Sequence, residues 1–167
     1  MSKVLLITGA SSGIGKATAK KAVSEGIKVI LTARRKELLE ELVGELGADN
    51  AFGVAADAGD YEQLKQVVDK GVAHFGKLDA VFANAGTGVN TAGTEGGDPD
   101  EWKSMIDVNI NGLLYTAKLT LPHLRESTGH FLMTGSAAGR ITLKGSVYGA
   151  TKWFVHGFAQ NLAEEMK

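Results

Sequence analysis

Short apolar runs alternate along this chain with longer stretches whose apolar residues recur at helical spacing, and that alternation leaves few folds open. Val4 to Thr8, Lys28 to Leu31, Ala51 to Ala56, Leu78 to Ala83 and Phe131 to Met133 read as strands. Between them, Ile14 to Glu25 carries helix formers and ends at Gly26, and Leu38, Leu39, Leu42, Val43 and Leu46 share a helical face that stops at Gly47. Leu64, Val67, Val68, Val72 and Phe75 trace a third stripe. A fourth helix is expected after Asp98, with Pro99 at its first position, running past Trp102, Ile106 and Leu113 towards Leu124. The last helix spans Tyr148 to Met166, with Phe154, Phe158 and Leu162 at i, i+4 and i+8. Thr87 to Pro99 is rich in glycine, lacks any period and reads as a loop. Strands alternating with helices imply right-handed crossovers and a parallel sheet covered on both faces: an α/β fold in one domain, residues 1–167.

Composition supports this and removes several function classes. Among 167 residues, 18 Lys and Arg face 19 Asp and Glu, giving a net charge of -1 that supplies neither a nucleic-acid footprint nor a polybasic membrane patch. A chain of this size buries roughly 68–70% of its unfolded surface, so the core needs no staples. The absence of Cys rules out a disulfide framework and fits a reducing, cytoplasmic setting. Val4 to Ile7 is too short an apolar run for a signal or a membrane span, so no targeting segment is expected. His74, His123, His130 and His156 are scattered without ligand spacing, and no metal is expected.

The chemistry concentrates in two places. Thr8-Gly9-Ala10-Ser11-Ser12-Gly13-Ile14-Gly15 joins the first strand to the first helix, where unpaired backbone N–H groups and the helix dipole attract phosphate. Glycine is required there for the tight turn and the close approach of a pyrophosphate, although the spacing Gly-x3-Gly-x-Gly differs from the G-x-G-x-x-G fingerprint. An isolated glycine turn is often only a turn; the position after the first strand of an alternating pattern is what favours phosphate. Further on, Tyr148 and Lys152 stand at i and i+4 on one helical face, and Ser136 follows the fifth strand at the carboxyl edge of the sheet. Such a Tyr–Lys pair alone is usually a surface contact. A phenol in water ionises near pH ~10, however, and an adjacent cation favours the phenolate, which suits the pair to proton exchange.

The string TGASSGIG closely resembles the glycine motif of the short-chain dehydrogenase/reductase family. Tyr148-x3-Lys152 resembles its active-site motif, Gly135 to Gly139 the segment carrying its serine, and Asn109 its helix asparagine. The resemblance implies a doubly wound Rossmann-type sheet of order 3-2-1-4-5 and a catalytic tetrad of Asn109, Ser136, Tyr148 and Lys152. In that scheme Tyr148 passes a proton to a carbonyl oxygen while nicotinamide delivers hydride to its carbon. Ser136 would polarise the oxygen, Lys152 hold the cofactor ribose, and Asn109 support a water-linked proton path.

Gly9, Ser11, Ser12, Gly13, Ile14 and Gly15 would cradle the cofactor, with Tyr148 and Lys152 at its reactive end. Asp57 would meet the adenine amino group, and Asn84, with Ala85 and Gly86, the adenosine ribose. Ala83 replaces the first Asn of the family's Asn-Asn-Ala-Gly motif, which puts some strand-to-strand bonding in question. No acidic residue ends the second strand; Arg34 and Arg35 stand there instead, and an arginine fork suits a 2′-phosphate, so NADP is expected over NAD. Ser12 occupies a position where many NADP-preferring relatives carry a basic residue.

Relatives continue through further strands and a substrate-covering segment, so the chain is expected to represent part of a longer protein, its C-terminal strands absent and the fifth strand at a sheet edge. Relatives commonly pair through the two last long helices, so the resemblance implies a homodimer or homotetramer. Two functions remain open at this point: an NADP-dependent oxidoreductase acting on a small carbonyl or secondary alcohol, and a nucleotide-binding regulator or scaffold without turnover.

Overall fold

The computed structural model describes residues 2–89 and 93–167. Five parallel strands, β1 (Val4–Thr8), β2 (Lys28–Ala33), β3 (Ala51–Ala55), β4 (Ala80–Ala83) and β5 (His130–Met133), lie in the order β3-β2-β1-β4-β5. Helices α1 (Gly13–Ser24), α2 (Lys36–Leu46), α3 (Tyr61–Phe75), α4 (Pro99–Ile106), α5 (Gly112–Ser127) and α6 (Val147–Glu165) complete the fold. The order and the doubly wound class are those expected from the sequence.

Because the period of a strand is two, neighbouring residues of β1 and β2 serve opposite faces of the sheet. Leu5, Ile7, Val29 and Leu31 pack with Ala19 and Ala22 of α1 and Leu39 and Leu42 of α2. Val4, Leu6 and Ile30 instead meet Val67 and Val68 of α3 and Leu124 of α5. Every residue of β1 is therefore buried, which explains why it reads as an uninterrupted apolar run. A third, smaller cluster joins Val155 of α6 to Ala83 and Leu113. β5 lies at the edge, with Leu132 49% exposed.

Helix ends follow local chemistry. Asp60 caps α3 by accepting from the Gln63 N–H at 3.0 Å, and Gly76 closes that helix with φ 77°. Asp98 caps α4 through the Asp100 N–H at 2.9 Å, with Pro99 in the first turn. The single helix expected from Trp102 towards Leu124 is interrupted: Asp107–Asn111 forms a π-helical turn between α4 and α5. Such a turn inserts a residue into the helical ladder and is frequent at functional sites. Nothing in the apolar spacing announces it. No described helix is long and apolar enough to cross a membrane.

Candidate active site

The strand order reverses between β1 and β4, because α1 carries the chain from β1 to one side and the β4 crossover carries it to the other. Both strands thus release their loops at one crevice. A cavity of about 840 Å³ opens there, bordered by the glycine turn at one end and the start of α6 at the other.

At the first end, Gly9 and Gly13 hold φ of 67° and 52°. Gly15 is needed for another reason: a Cβ there would lie 2.4 Å from the Gly9 carbonyl oxygen, so α1 could not seat against the turn. Ser12 is the N-cap residue of α1 but caps it with no side-chain bond. Its hydroxyl accepts instead from Arg35 Nη2 at 2.8 Å, and the same nitrogen reaches the Ser11 hydroxyl at 3.1 Å. The first amides of α1 are thereby left to an anion. Ile14, 62% exposed, Ser11 and Ser12 line the cavity, as do Arg34 and Arg35. Thr32 also borders it, with a buried hydroxyl that has no partner among the described residues, a polar atom suited to a ligand.

Asp57 stands on the cavity wall, where its Oδ1 accepts from the Gly59 N–H at 2.9 Å. Asn84, Ala85 and Gly86 line the middle. The Asn84 amide donates to the Thr8 carbonyl at 3.1 Å and accepts from the Thr134 hydroxyl at 3.0 Å. The Thr8 hydroxyl in turn accepts from the N–H groups of Asn84 and Ala85, at 3.1 and 3.0 Å. Bonding across the ends of β1, β4 and β5, in question where Ala83 replaces Asn, is supplied by this trio. The side chain of Asn84 is thus a strand tie in this structure.

The other end is anchored by α6. Tyr148 and Lys152 both line the cavity, and Lys152 Nζ lies 5.8 Å from the Tyr148 ring centroid. Lys152 is 5% exposed; its ammonium donates to the Thr134 carbonyl at 3.0 Å, and burial holds its pKa below the ordinary lysine value. Asn109 sits in the π turn and is buried. Its Oδ1 accepts from the Thr87 N–H at 2.8 Å, while its Nδ2 donates to the Thr87 carbonyl at 2.9 Å and to the Thr151 hydroxyl at 3.0 Å. Thr151 closes the chain by donating to the Tyr148 carbonyl at 2.8 Å. Ser136 caps the short 3₁₀ turn Ala137–Gly139, its Oγ accepting from the Ala138 N–H at 3.1 Å, which leaves the hydroxyl proton to donate elsewhere.

The residues singled out in the sequence therefore lie at or beside one crevice: Gly15 and Asn109 are buried behind its lining, while Gly13, exposed, and Ser136, half-buried, adjoin it. Sequence reading missed Thr8, Thr87, Thr134 and Thr151, whose hydrogen bonds to residues far away in the chain leave no periodic trace. It also set aside His156, whose ring touches Ser136; the spacing of four from Lys152 was the available signal.

The model of the short chain dehydrogenase family matches residues 3–167. The chain belongs to this family. It is 41% identical over 168 residues to oxidoreductase BOA17 of Botryotinia fuckeliana, with 99% of this chain and 61% of that protein covered. Among solved structures, it resembles the closed form of a serine dehydrogenase complexed with NADP+, at a TM-score of 0.92 and 34% identity over 98% of this chain and 66% of that one. It likewise resembles a short chain dehydrogenase/reductase from Burkholderia phymatum in complex with NAD, at a TM-score of 0.93 and 28% identity, over 98% of this chain and 60% of that one. This chain thus spans 60–66% of the length of these relatives.

Proposed function

We propose that this short chain dehydrogenase is an oxidoreductase that interconverts a small carbonyl compound and its alcohol with NADP(H), and that Tyr148 is its acid–base. The observation that carries the reading is the placement of Tyr148 and Lys152 on the wall of the cavity whose far end is the uncapped N-terminus of α1. A bound nicotinamide supplies or accepts the hydride. The rest falls to the chain. The first turn of α1 holds the pyrophosphate, and Thr32, Asp57 and the backbone around Asn84 face the adenosine. Tyr148 gives its phenolic proton to the oxygen of the carbonyl as hydride reaches the carbon, and takes it back in oxidation. Ser136 donates its hydroxyl proton to the same oxygen. Lys152 lies beside the phenol, where its cation stabilises negative charge as the proton leaves. Asn109 clamps Thr87 and Thr151, which keeps the wall of the site and the Tyr148 backbone in register.

Arg34 and Arg35 favour NADP. Arg35 already rests on the hydroxyls of Ser11 and Ser12, so the basic group that the turn itself lacks is brought to it from the link between β2 and α2. Cytoplasmic residence and pairing of copies through α5 and α6 complete the reading; Trp153 of α6, 52% exposed, is the apolar group such pairing would cover.

The test follows nicotinamide absorbance in mixtures of the protein with NADPH or NADH and a panel of ketones, aldehydes and quinones. Turnover that is faster with NADPH and is lost in Tyr148→Phe supports the reading. Dinucleotide binding without turnover on any carbonyl, or turnover that survives Tyr148→Phe, refutes it.

A further inference from the structure

Tyr148, Lys152 and His156 follow one another at four-residue spacing on a single stripe of α6, and only the first two have a place in the scheme above. The third reaches the backbone of Ser136. His156 Nε2 lies 3.0 Å from the Ser136 carbonyl oxygen and 3.5 Å from its amide nitrogen. A carbonyl oxygen can only accept, so the shorter contact places a proton on Nε2, and that nitrogen then has no lone pair for the amide. The same carbonyl accepts from the Gly139 N–H at 3.0 Å, which uses both of its lone pairs.

Room for the ring comes from two missing side chains. A Cβ on Gly139 would stand 2.6 Å from His156 Cδ2, and one on Gly135 would stand 3.0 Å from Cε1. The glycines before and after Ser136 thus form a slot that fits an imidazole. The Oγ of Ser136 is tied through the Ala138 N–H to the 3₁₀ turn that this carbonyl begins. Whatever fixes the Ser136 carbonyl therefore fixes the direction of the hydroxyl as well.

We propose that His156 is a positioning residue: its Nε2–H holds the Ser136 carbonyl and so aims the Ser136 hydroxyl into the site. The proposal rests on the functional reading above for what Ser136 does. His156 itself touches neither substrate nor cofactor.

Two variants separate the hydrogen bond from the packing. His156→Phe keeps a ring in the slot and removes the donor; His156→Gln restores a donor at similar reach. Each is made in the parent and in a Ser136→Ala background, and kcat for carbonyl reduction is measured beside the affinity for NADPH. His156→Phe is expected to lower kcat about three- to tenfold, the effect of one hydrogen bond, with NADPH affinity unchanged. His156→Gln recovers most of that loss, and in the Ser136→Ala background His156→Phe adds nothing. Equal losses in both backgrounds, or parental kcat in a folded His156→Phe, overturn the proposal.

NMR of the imidazole nitrogens gives a readout that needs no turnover. The Nε2–H tautomer and a Ser136 amide shift that moves in His156→Phe and returns in His156→Gln support the proposal, whereas an Nδ1–H tautomer overturns it. A parent protein without any turnover counts against the functional reading alone, and the spectra then decide on His156.

Discussion

The two ends of the crevice are built by different means. The glycine turn is made of backbone and small residues, with two positive φ values, an uncapped helix and the exposed guanidinium of Arg35 resting on two hydroxyls. The α6 end is made of buried or half-buried side chains that grip backbone in distant segments: Asn109 on Thr87, Lys152 on Thr134, His156 on Ser136. In the proposed function one end recognises its ligand through the direction of its amides and tolerates most changes that keep the path of the chain. The other depends on individual atoms. Changes at the turn should therefore act on binding, and changes along α6 on turnover.

Tyr148→Phe is the strongest test of that division. Loss of the proposed acid–base should reduce kcat by about 10²–10⁴-fold, while dinucleotide affinity, measured by fluorescence titration, stays within a factor of two to three of the parent, roughly the scatter of one weak hydrogen bond. A comparable fall in affinity would show that the α6 end also governs binding, and the comparison would break.

Arg35→Ala is the counterpart at the turn. Removing a charged donor set should weaken NADPH binding about 10–100-fold, in line with charge-assisted hydrogen bonds, and leave NADH binding nearly unaltered. The ratio of the two dissociation constants measures the effect. Equal losses for both dinucleotides would mean that Arg35 only shapes the turn through Ser11 and Ser12.

Gly15→Ala probes the backbone itself. The added methyl would meet the Gly9 carbonyl at 2.4 Å and the Asn84 amide nitrogen at 2.8 Å, so α1 must shift. A stability loss of about 1–3 kcal/mol, read from denaturant midpoints, should accompany weaker dinucleotide binding. Unchanged stability would show that the turn yields more readily than its contacts suggest.

These contrasts also explain what the sequence revealed and what it hid. β1 and its turn were legible because each is a local pattern, an apolar run followed by glycines at fixed offsets. The start of α4 after Asp98, with Pro99 in its first turn, was legible for the same reason. The π turn was hidden, since Trp102, Ile106 and Leu113 fit an uninterrupted helix equally well, and the inserted residue shows only in how Asn109 reaches Thr87. Asn84 was recognisable as part of a motif, but its role in tying three strand ends follows from the register of β1, β4 and β5. His156 looked like any other histidine because its partner is a carbonyl twenty residues earlier in the chain. Long-range bonds between side chain and backbone leave no spacing rule to read.

Lys152→Met gives the smallest effect, and with the opposite sign. Lys152 is 5% exposed and its ammonium has one acceptor among the described residues, the Thr134 carbonyl, so the fold carries a desolvated charge that the unfolded chain keeps in water. Burial lowers the folded-state pKa below the unfolded one. Between those two values the unfolded chain binds more protons, and stability of the parent therefore rises with pH across that window. A methionine fills similar space without the charge. Lys152→Met should thus be equally stable or more stable by up to about 1 kcal/mol near neutrality, after allowing for the lost hydrogen bond, and its advantage should shrink as pH climbs towards the usual lysine value. Denaturant melts of the two proteins over a series of alkaline pH values decide this. A variant less stable than the parent at neutral pH would mean that the Lys152–Thr134 bond outweighs the burial of the charge. The α6 end would then be held together by the very group that the proposed chemistry uses, and function and stability there would not oppose each other.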